Sequence, residues 1–587
     1  MHEFDLLIRG GTIIDGTGMS RFKGDIGIKD GVIAKTGLEL TGSAAQVIDA
    51  EGKIIAPGVI DLHTHYDAQI HWDPYCTNSG WHGTTSVVVG NCGFGFAPCK
   101  PENRDRYMLM MENTEQVPYE VMGRALPWTW ETFPQWMDHL RALPKGINIS
   151  SFLPLNALMI HVMGIDAAKS RPATADERRQ MATLLNEAMD AGAIGFAFSY
   201  QGMKNGHTDY DGSPMPTDIM DPEEAFLLGE VLRERGQGFI QVLSDLPGCA
   251  TNRGIIEELA ERSRRPILHN ILQIMDQAPE YHEGILEWLD DMAAKGHAVY
   301  TQAMSMRSWT EFNFVDYNFW DGIDPIFKEF SLAGDAGDKL ALAADPDYRA
   351  RFRATYTPEA MMEAGGPLES FKLVDAHGTA PYADFEGQLL GEIAAARGLG
   401  IVDLFFDLFI ATDAQAEVRT TLLGTEDPEL VAKVLRHPRV LFGASDGGAH
   451  VKYWSGGQFS TDVIMWLARE SQQMSLEDIH FKLSYLPARF AGFDGRGALL
   501  PGYAADVMIY DFDALSCDLS RYRVVNDLPG GDCRRVTYAE GVDAVIVNGQ
   551  VTFGKGSTCT NAVPGRVLSP TPPVNHASAP SIVVAAE

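Results

Sequence analysis

The run Val59-Ile60-Asp61-Leu62-His63-Thr64-His65 passes from apolar residues into two histidines one residue apart. In a strand, successive side chains face opposite ways, so His63 and His65 share a face. Two imidazoles converging at the end of a buried strand are half of a metal site. Other donors close other apolar runs. Cys92 follows Val87-Val88-Val89-Gly90-Asn91, Gln241 follows Gly238-Phe239-Ile240, His269 follows Pro266-Ile267-Leu268, and Asp446 follows Val440 to Ser445. Singly, each has a plain structural reading: a small buried hydrophobe, a hydrogen-bonded core histidine, a turn aspartate before Gly-Gly.

These residues need a scaffold that brings several strand ends to one rim. Eight strand-like runs are present: Val59–His65, Thr84–Asn91, Asn148–Leu155, Gly192–Phe198, Gly238–Val242, Pro266–Ile271, Ala298–Gln302 and Val440–Ser445. Helical patterns at Ala175–Ala191, Pro222–Arg235, Gly254–Arg262 and Glu283–Ala294 alternate with them. That alternation, with eight strands, predicts an α/β fold of the (β/α)8 barrel type, whose sites lie at the carboxyl ends of the strands. Before it, Asp5–Arg9, Thr12–Ile14, Gly24–Ile28, Val32–Lys35 and Gln46–Asp49 read as short strands separated by Gly10-Gly11, Asp15-Gly16 and Asp30-Gly31 turns. Too small to hide a core alone, they require a partner, found in the strand runs Ala505–Asp511 and Val542–Val551. The stretch 307–382 reads as long and irregular, and loops of that length usually cover a site. The Pro/Ala/Ser/Val-rich end reads as a mobile tail.

The 587 residues carry a formal net charge of −32, which argues against nucleic acid and anionic membranes as partners. No apolar run approaches the length that spans a bilayer, and the amino terminus lacks a signal-peptide pattern. Seven scattered cysteines without a CxxC pair fit a reducing, cytoplasmic setting.

Ala56-Pro57-Gly58-Val59-Ile60-Asp61-Leu62-His63-Thr64-His65 resembles the first barrel strand of the amidohydrolase superfamily. Gly90-Asn91-Cys92-Gly93-Phe94-Gly95-Phe96-Ala97-Pro98 resembles the segment of N-acyl-D-amino-acid deacylases in which a cysteine thiolate holds zinc. Further likeness lies in Leu126–Phe133, Glu187–Phe196, Leu486–Phe490 and Arg496–Asp506. The resemblance implies a TIM-type barrel over 57–490, with a small flanking β-sandwich built from 1–56 and 491–566 and a tail over 567–587. It implies one or two zinc-type ions held by His63, His65, Cys92, His269 and Asp446, with Gln241 at the fifth-strand ligand position. Asp446 would also be the general base that shuttles a proton during hydrolysis of a small-molecule amide, an N-acyl amine or N-acyl-D-amino acid. A homo-oligomer is compatible with it.

The chain departs from that pattern in several places. Gln241 stands where the family has a histidine ligand, and zinc prefers nitrogen and sulfur. Asn156 stands at the third strand in place of a histidine, and is a substrate-binding candidate. The family's carboxylate-gripping His-Pro-Arg after the eighth strand is replaced by Gly447-Gly448-Ala449-His450, and Ile271 occupies a usually basic position. A neutral amide is thus at least as well provided for as a free α-carboxylate. Tyr200, His207, Tyr210 and His450 are candidates to touch substrate, Trp309, Phe312, Phe314, Tyr317 and Trp320 to form an apolar lid, and His71 equally to line the entrance or to pack its loop. Two other readings remain: a cyclic amide or carbamate hydrolase on the same barrel, and a non-catalytic barrel whose degraded metal site leaves it an interaction protein.

Overall fold

The computed structural model describes residues 2–571, apart from 204, 206, 246–251, 277, 318–319, 321–324 and 421–423. Eight barrel strands appear in the expected order: Val59–Asp61, Thr84–Val89, Asn148–Ser151 continued by Leu153–Pro154, Gly195–Ser199, Phe239–Leu243, Ile267–Leu272, Val299–Met304 and Val440–Gly443. Consecutive strands pair in parallel. A parallel bridge between Thr64 and Gly447 joins the ends of the first and eighth strands. The side-chain period of two divides each strand between two layers. Val88, Phe239, Leu268 and Leu441 belong to one core with Phe152 and Ala197, while Val87, Ile240, Ile267 and Val299 pack into the larger helix-side core. Burial on both faces accounts for the near-continuous apolar runs. The four anticipated helices form at Ala175–Asp190, Glu223–Arg235, Arg253–Ser263 and Pro279–Ala294.

Both chain ends meet in one nine-stranded sheet. Ile54–Pro57 runs parallel to Phe4–Ile13 and antiparallel to Val507–Tyr510, which continues into Val542–Val547. Val507 and Ile509 face a core with Ile8, Ile26, Ile55 and Ile546. Their neighbours Met508 and Tyr510 pack into the helix-side core of the barrel. Phe4–Ile13 is one strand where two were expected. Gly10, at φ +74°, accommodates a register shift between Ile8 and Gly11 instead of a turn.

Two other expectations are corrected. The stretch 307–382 is structured: it holds helices at Pro325–Ser331, Ala336–Ala344 and Pro346–Thr355, and it shares a three-stranded sheet of Glu311–Phe312, Glu417–Arg419 and Lys372–Asp375. Trp309, Phe312, Phe314, Tyr317 and Trp320 are buried, Phe312 and Phe314 against Phe371 and Phe405, Trp309 on Tyr522 and Tyr317 on Tyr453, and so do not form a free lid. Large aromatic faces bury against one another, and Gly and Pro here terminate short helices without preventing them. The described part of the expected mobile tail is held down. Leu568 N–H donates to Ile149 O and Thr571 N–H to Gly492 O, and Leu568 enters the core beneath the barrel. Residues 572–587 lie outside the described residues, as does Cys249.

Candidate metal centre

His63, His65 and Cys92 come together, one ligand atom from each lying within 4.8 Å of the others, all three buried. The regular first strand stops at Asp61, short of the expected His65. The histidines are instead placed by individual bonds: His63 N–H to Asp61 Oδ1 (3.1 Å), Thr64 Oγ1 to Val88 O (2.7 Å), and His65 N–H to Gly447 O (2.7 Å). Their rings lie 5.4 Å apart and inclined at 62°. Cys92 Sγ is 3.4 Å from His63 Nε2.

Asp446 closes the group from the eighth strand. Its Oδ1 is 3.1 Å from His63 Nε2 and 3.5 Å from His65 Nε2. Burial works against its charge, but the two imidazoles outweigh that and hold the carboxyl well below the usual range. Burial correspondingly opposes a proton on His63, and Asp446 overrides it to raise the imidazole's affinity. Cys92 (φ +56°) and Asp446 (φ +46°) both hold left-handed backbone, and Ala444 (φ +52°) and His450 (φ +54°) flank Asp446 in the same region. Such conformations cost about 1–3 kcal/mol each in non-glycine residues and collect where a side chain must be aimed.

Gln241 sits directly beneath Cys92. Its Oε1 accepts the Cys92 N–H (2.7 Å) and its Nε2 donates to Asn270 Oδ1 (3.1 Å), while Asn270 Nδ2 donates to Gln302 Oε1 (2.9 Å). An amide ladder thus crosses the interior ends of the fifth, sixth and seventh strands. Gln241 is at the centre, but both its polar atoms are committed to this ladder. His269 is not brought to the cluster. Its Nδ1 meets Thr301 Oγ1 (3.0 Å), its Nε2 meets Ser244 O (3.2 Å), and its ring lies edge-on to Trp288 of the Pro279–Ala294 helix. The period of two explains the correction: with Leu268 inward, Asn270 is also inward and His269 faces the helices.

The substrate candidates divide similarly. His450 lies at the centre, its Nε2 3.9 Å from Asp446 Oδ2 and its Nδ1 hydrogen-bonded with Tyr453 Oη (2.6 Å). Burial pushes it down to about 3. His207 is 6.3 Å from it, ring to ring, and burial pushes it to about 4. Asn156 is buried close to Gly93, with Oδ1 bonded to Thr217 N–H and Nδ2 without a partner. Burial raises the Tyr200 phenol, and the charges of Asp221, Asp218 and Glu224 add to that. Tyr210 is exposed beneath Arg106. His71 packs on Trp130 and meets His139 Nε2 at 3.1 Å, a loop-packing role. His82 ends the short helix Ser79–His82.

Three contributors were not read from the sequence. Asn270 was signalled only by the strand's phase. Asp67, two residues past His65, is buried, and burial pushes it up to about 7. Glu115 ends the helix Arg104–Glu115, and nothing in its sequence context marks it. Its carboxylate is 3.6 Å from His65 Nδ1 and 3.8 Å from His450 Nε2.

These residues fit a soft-to-borderline divalent ion. Sulfur, two imidazoles and a carboxylate are zinc's preferred donors. Burial pushes the Cys92 thiol far up, and Glu115, Asp446 and Asp218 add to that. Among the described residues, Asp67 Oδ2, Glu115 Oε1 and Glu115 Oε2 are buried without hydrogen-bond partners. A cation relieves this crowding of acceptors. Among the described residues, the only ion-pair partners of Asp446 and Glu115 are histidines, without a Lys or Arg.

An uncharacterized protein of Mycobacterium tuberculosis is 30% identical to this chain, covering 94% of it and 92% of the relative. The N-acyl-D-glutamate deacylase of Alcaligenes xylosoxydans xylosoxydans is 26% identical over 96% of each. Among solved structures, a D-aminoacylase superposes with a TM-score of 0.63 at 22% identity, covering 96% of this chain and 100% of the other. The zinc and phosphonate complex of the Bordetella bronchiseptica N-acyl-D-glutamate deacylase superposes with a TM-score of 0.63 at 24% identity, over 96% and 99%. A family model described as "Amidohydrolase family" matches residues 46–553, the whole of the barrel and part of the flanking sheet. The chain belongs to the amidohydrolase family.

Proposed function

We propose that this protein is a metal-dependent hydrolase of a non-peptide C–N bond, with an N-acyl amine or N-acyl-D-amino acid as substrate. His63, His65, Cys92 and Asp446 are the residues that would hold a zinc-type ion. The observation that carries the reading is the convergence of His63, His65 and Cys92 to within 4.8 Å, with Asp446 3.1 Å from His63. The deacylase relatives support the reaction class. Commitment of Gln241 and Asn270 to each other supports a single ion.

A bound ion would supply acidified water and a polarised carbonyl. Asp446, held ionised, is placed to take a proton from the attacking water and return it to the leaving nitrogen. His450, with Nδ1 beside the Tyr453 hydroxyl and Nε2 3.9 Å from Asp446, borders the same space and can pack against the bound substrate. Among the described residues no Lys or Arg pairs with Asp446 or Glu115, which favours uncharged amides over N-acyl amino acids with a free carboxylate.

The test is metal analysis of the purified protein followed by a panel of amides. We expect about one ion per chain, chelator-sensitive turnover, and higher kcat/KM on uncharged N-acyl amines. Metal-free protein that still hydrolyses its best substrate would remove the mechanism. Turnover confined to substrates with a free carboxylate would remove the specificity.

A further inference from the structure

Glu115 is fully buried, and among the described residues neither carboxylate oxygen has a hydrogen-bond partner. Its burial and its acidic neighbours oppose its charge. It ends a helix, where the backbone dipole is negative. Burial, Asp446 and Asp67 all push its carboxyl well above the usual range. A buried polar group left so needs a reason.

The two oxygens point at different imidazoles, Oε1 at His65 Nδ1 (3.6 Å) and Oε2 at His450 Nε2 (3.8 Å). The backbone fixes this relation, since His450 N–H donates to Glu115 O (2.5 Å). His65 turns its other nitrogen, Nε2, toward Asp446. His450 turns its other nitrogen, Nδ1, to the Tyr453 hydroxyl. Each imidazole thus turns one nitrogen to Glu115, and an ion on His65 Nε2 would leave the His65 proton on the side facing Glu115.

We propose that Glu115 is a positioning residue, accepting from His65 Nδ1–H and His450 Nε2–H, so that His65 offers Nε2 to the metal and His450 keeps one tautomer. The contacts exceed hydrogen-bond length, and closing each by roughly 0.5–1 Å completes the bonds. Histidine ligands commonly donate their second N–H to a carboxylate, whose loss costs about 10–100-fold in metal affinity. The inference rests on the metal reading above and adds to it a residue that holds no ion itself.

The test uses Co2+ as the probe on the full chain, read by its visible spectrum and by competition with a chelator. We expect Glu115→Gln to weaken Co2+ binding by about 10–100-fold and to shift the d–d bands. Melting of the metal-free protein should not fall, since a buried acid is replaced by a neutral isostere. Identical affinity and spectrum would overturn the proposal. Should Glu115→Gln fail to fold, 15N-histidine NMR of the wild-type metal complex decides: Nδ1–H on His65 and Nε2–H on His450 support it, and the opposite tautomer on His65 overturns it. Wild-type protein without Co2+ binding or a thiolate band removes the metal reading itself. Normal wild-type binding with a silent Glu115→Gln removes only this inference.

Discussion

The backbone N–H of Cys92 donates to the side-chain oxygen of Gln241 across 2.7 Å, tying the loop after the second barrel strand to the fifth strand. A residue at an expected ligand position thus serves as a strut beneath the proposed ligand Cys92. Gln241→Leu keeps approximate size but leaves the Cys92 N–H and one Asn270 acceptor unpaired in a dry interior. Each such loss costs about 1–3 kcal/mol. Denaturant unfolding should show destabilisation in that range or above, and a change below about 0.5 kcal/mol would mean that the amide ladder contributes nothing.

His269 and Asp446 should separate cleanly in mutagenesis. His269→Gln changes a side chain that faces Thr301, Ser244 and Trp288, so metal content should match wild type. Asp446→Asn keeps the size of the side chain and removes its basicity. Turnover should fall by roughly two to four orders of magnitude, the usual cost of losing a general base. Metal analysis beside kcat distinguishes the two, and loss of metal in His269→Gln would return that residue to the ligand set.

Acid should loosen the contact between the barrel and the flanking sheet. His480 Nε2 meets Tyr510 Oη at 2.8 Å, and burial holds the imidazole down at about 3. An unfolded chain takes up a proton near pH 6.5, whereas the folded one does not until about pH 3. The folded-state pKa is depressed, so the contribution to stability is intact above 6.5 and is progressively lost as pH falls toward 3. His82, between Thr461 and Thr537 and held at about 4, behaves alike. Each such histidine adds up to about 1.4 kcal/mol per pH unit to the slope. Urea midpoints at several pH values should flatten in His480→Gln; an unchanged slope would show that this imidazole is not kept neutral.

The end of the described chain should be structurally necessary. Leu568 is 7% exposed and packs with Phe152, Phe239 and Leu441. Leu568→Ala should cost about 2–5 kcal/mol, the usual range for a buried leucine. Thermal melting of this variant at the wild-type temperature would show the contact to be dispensable.

The barrel was legible because each strand is buried on both faces, which writes eight apolar runs into the chain. His63, His65, Cys92 and Asp446 were legible because they interrupt such runs at the carboxyl ends. Phase was harder to read. In Ile267-Leu268-His269-Asn270 the histidine attracts attention, yet the alternation set by Leu268 turns Asn270 inward. Glu115 was invisible because it approaches from a helix outside the strand pattern. The insertion after the seventh strand was misread because its core is aromatic and its helices are only 7 to 10 residues long, too short for periodicity to stand out.

The sheet shared by the chain's two ends bears on how the molecule is made. Ile54–Pro57 finds its antiparallel neighbour only in Val507–Tyr510. At ribosomal speed, the roughly 450 residues between them take about 20 to 90 s to emerge. Throughout that interval the first strands present an unfilled edge and a half-built apolar face to the cell. Chaperone capture during translation, and rescue of a split protein by its separately supplied carboxyl-terminal fragment, are natural consequences of this closure.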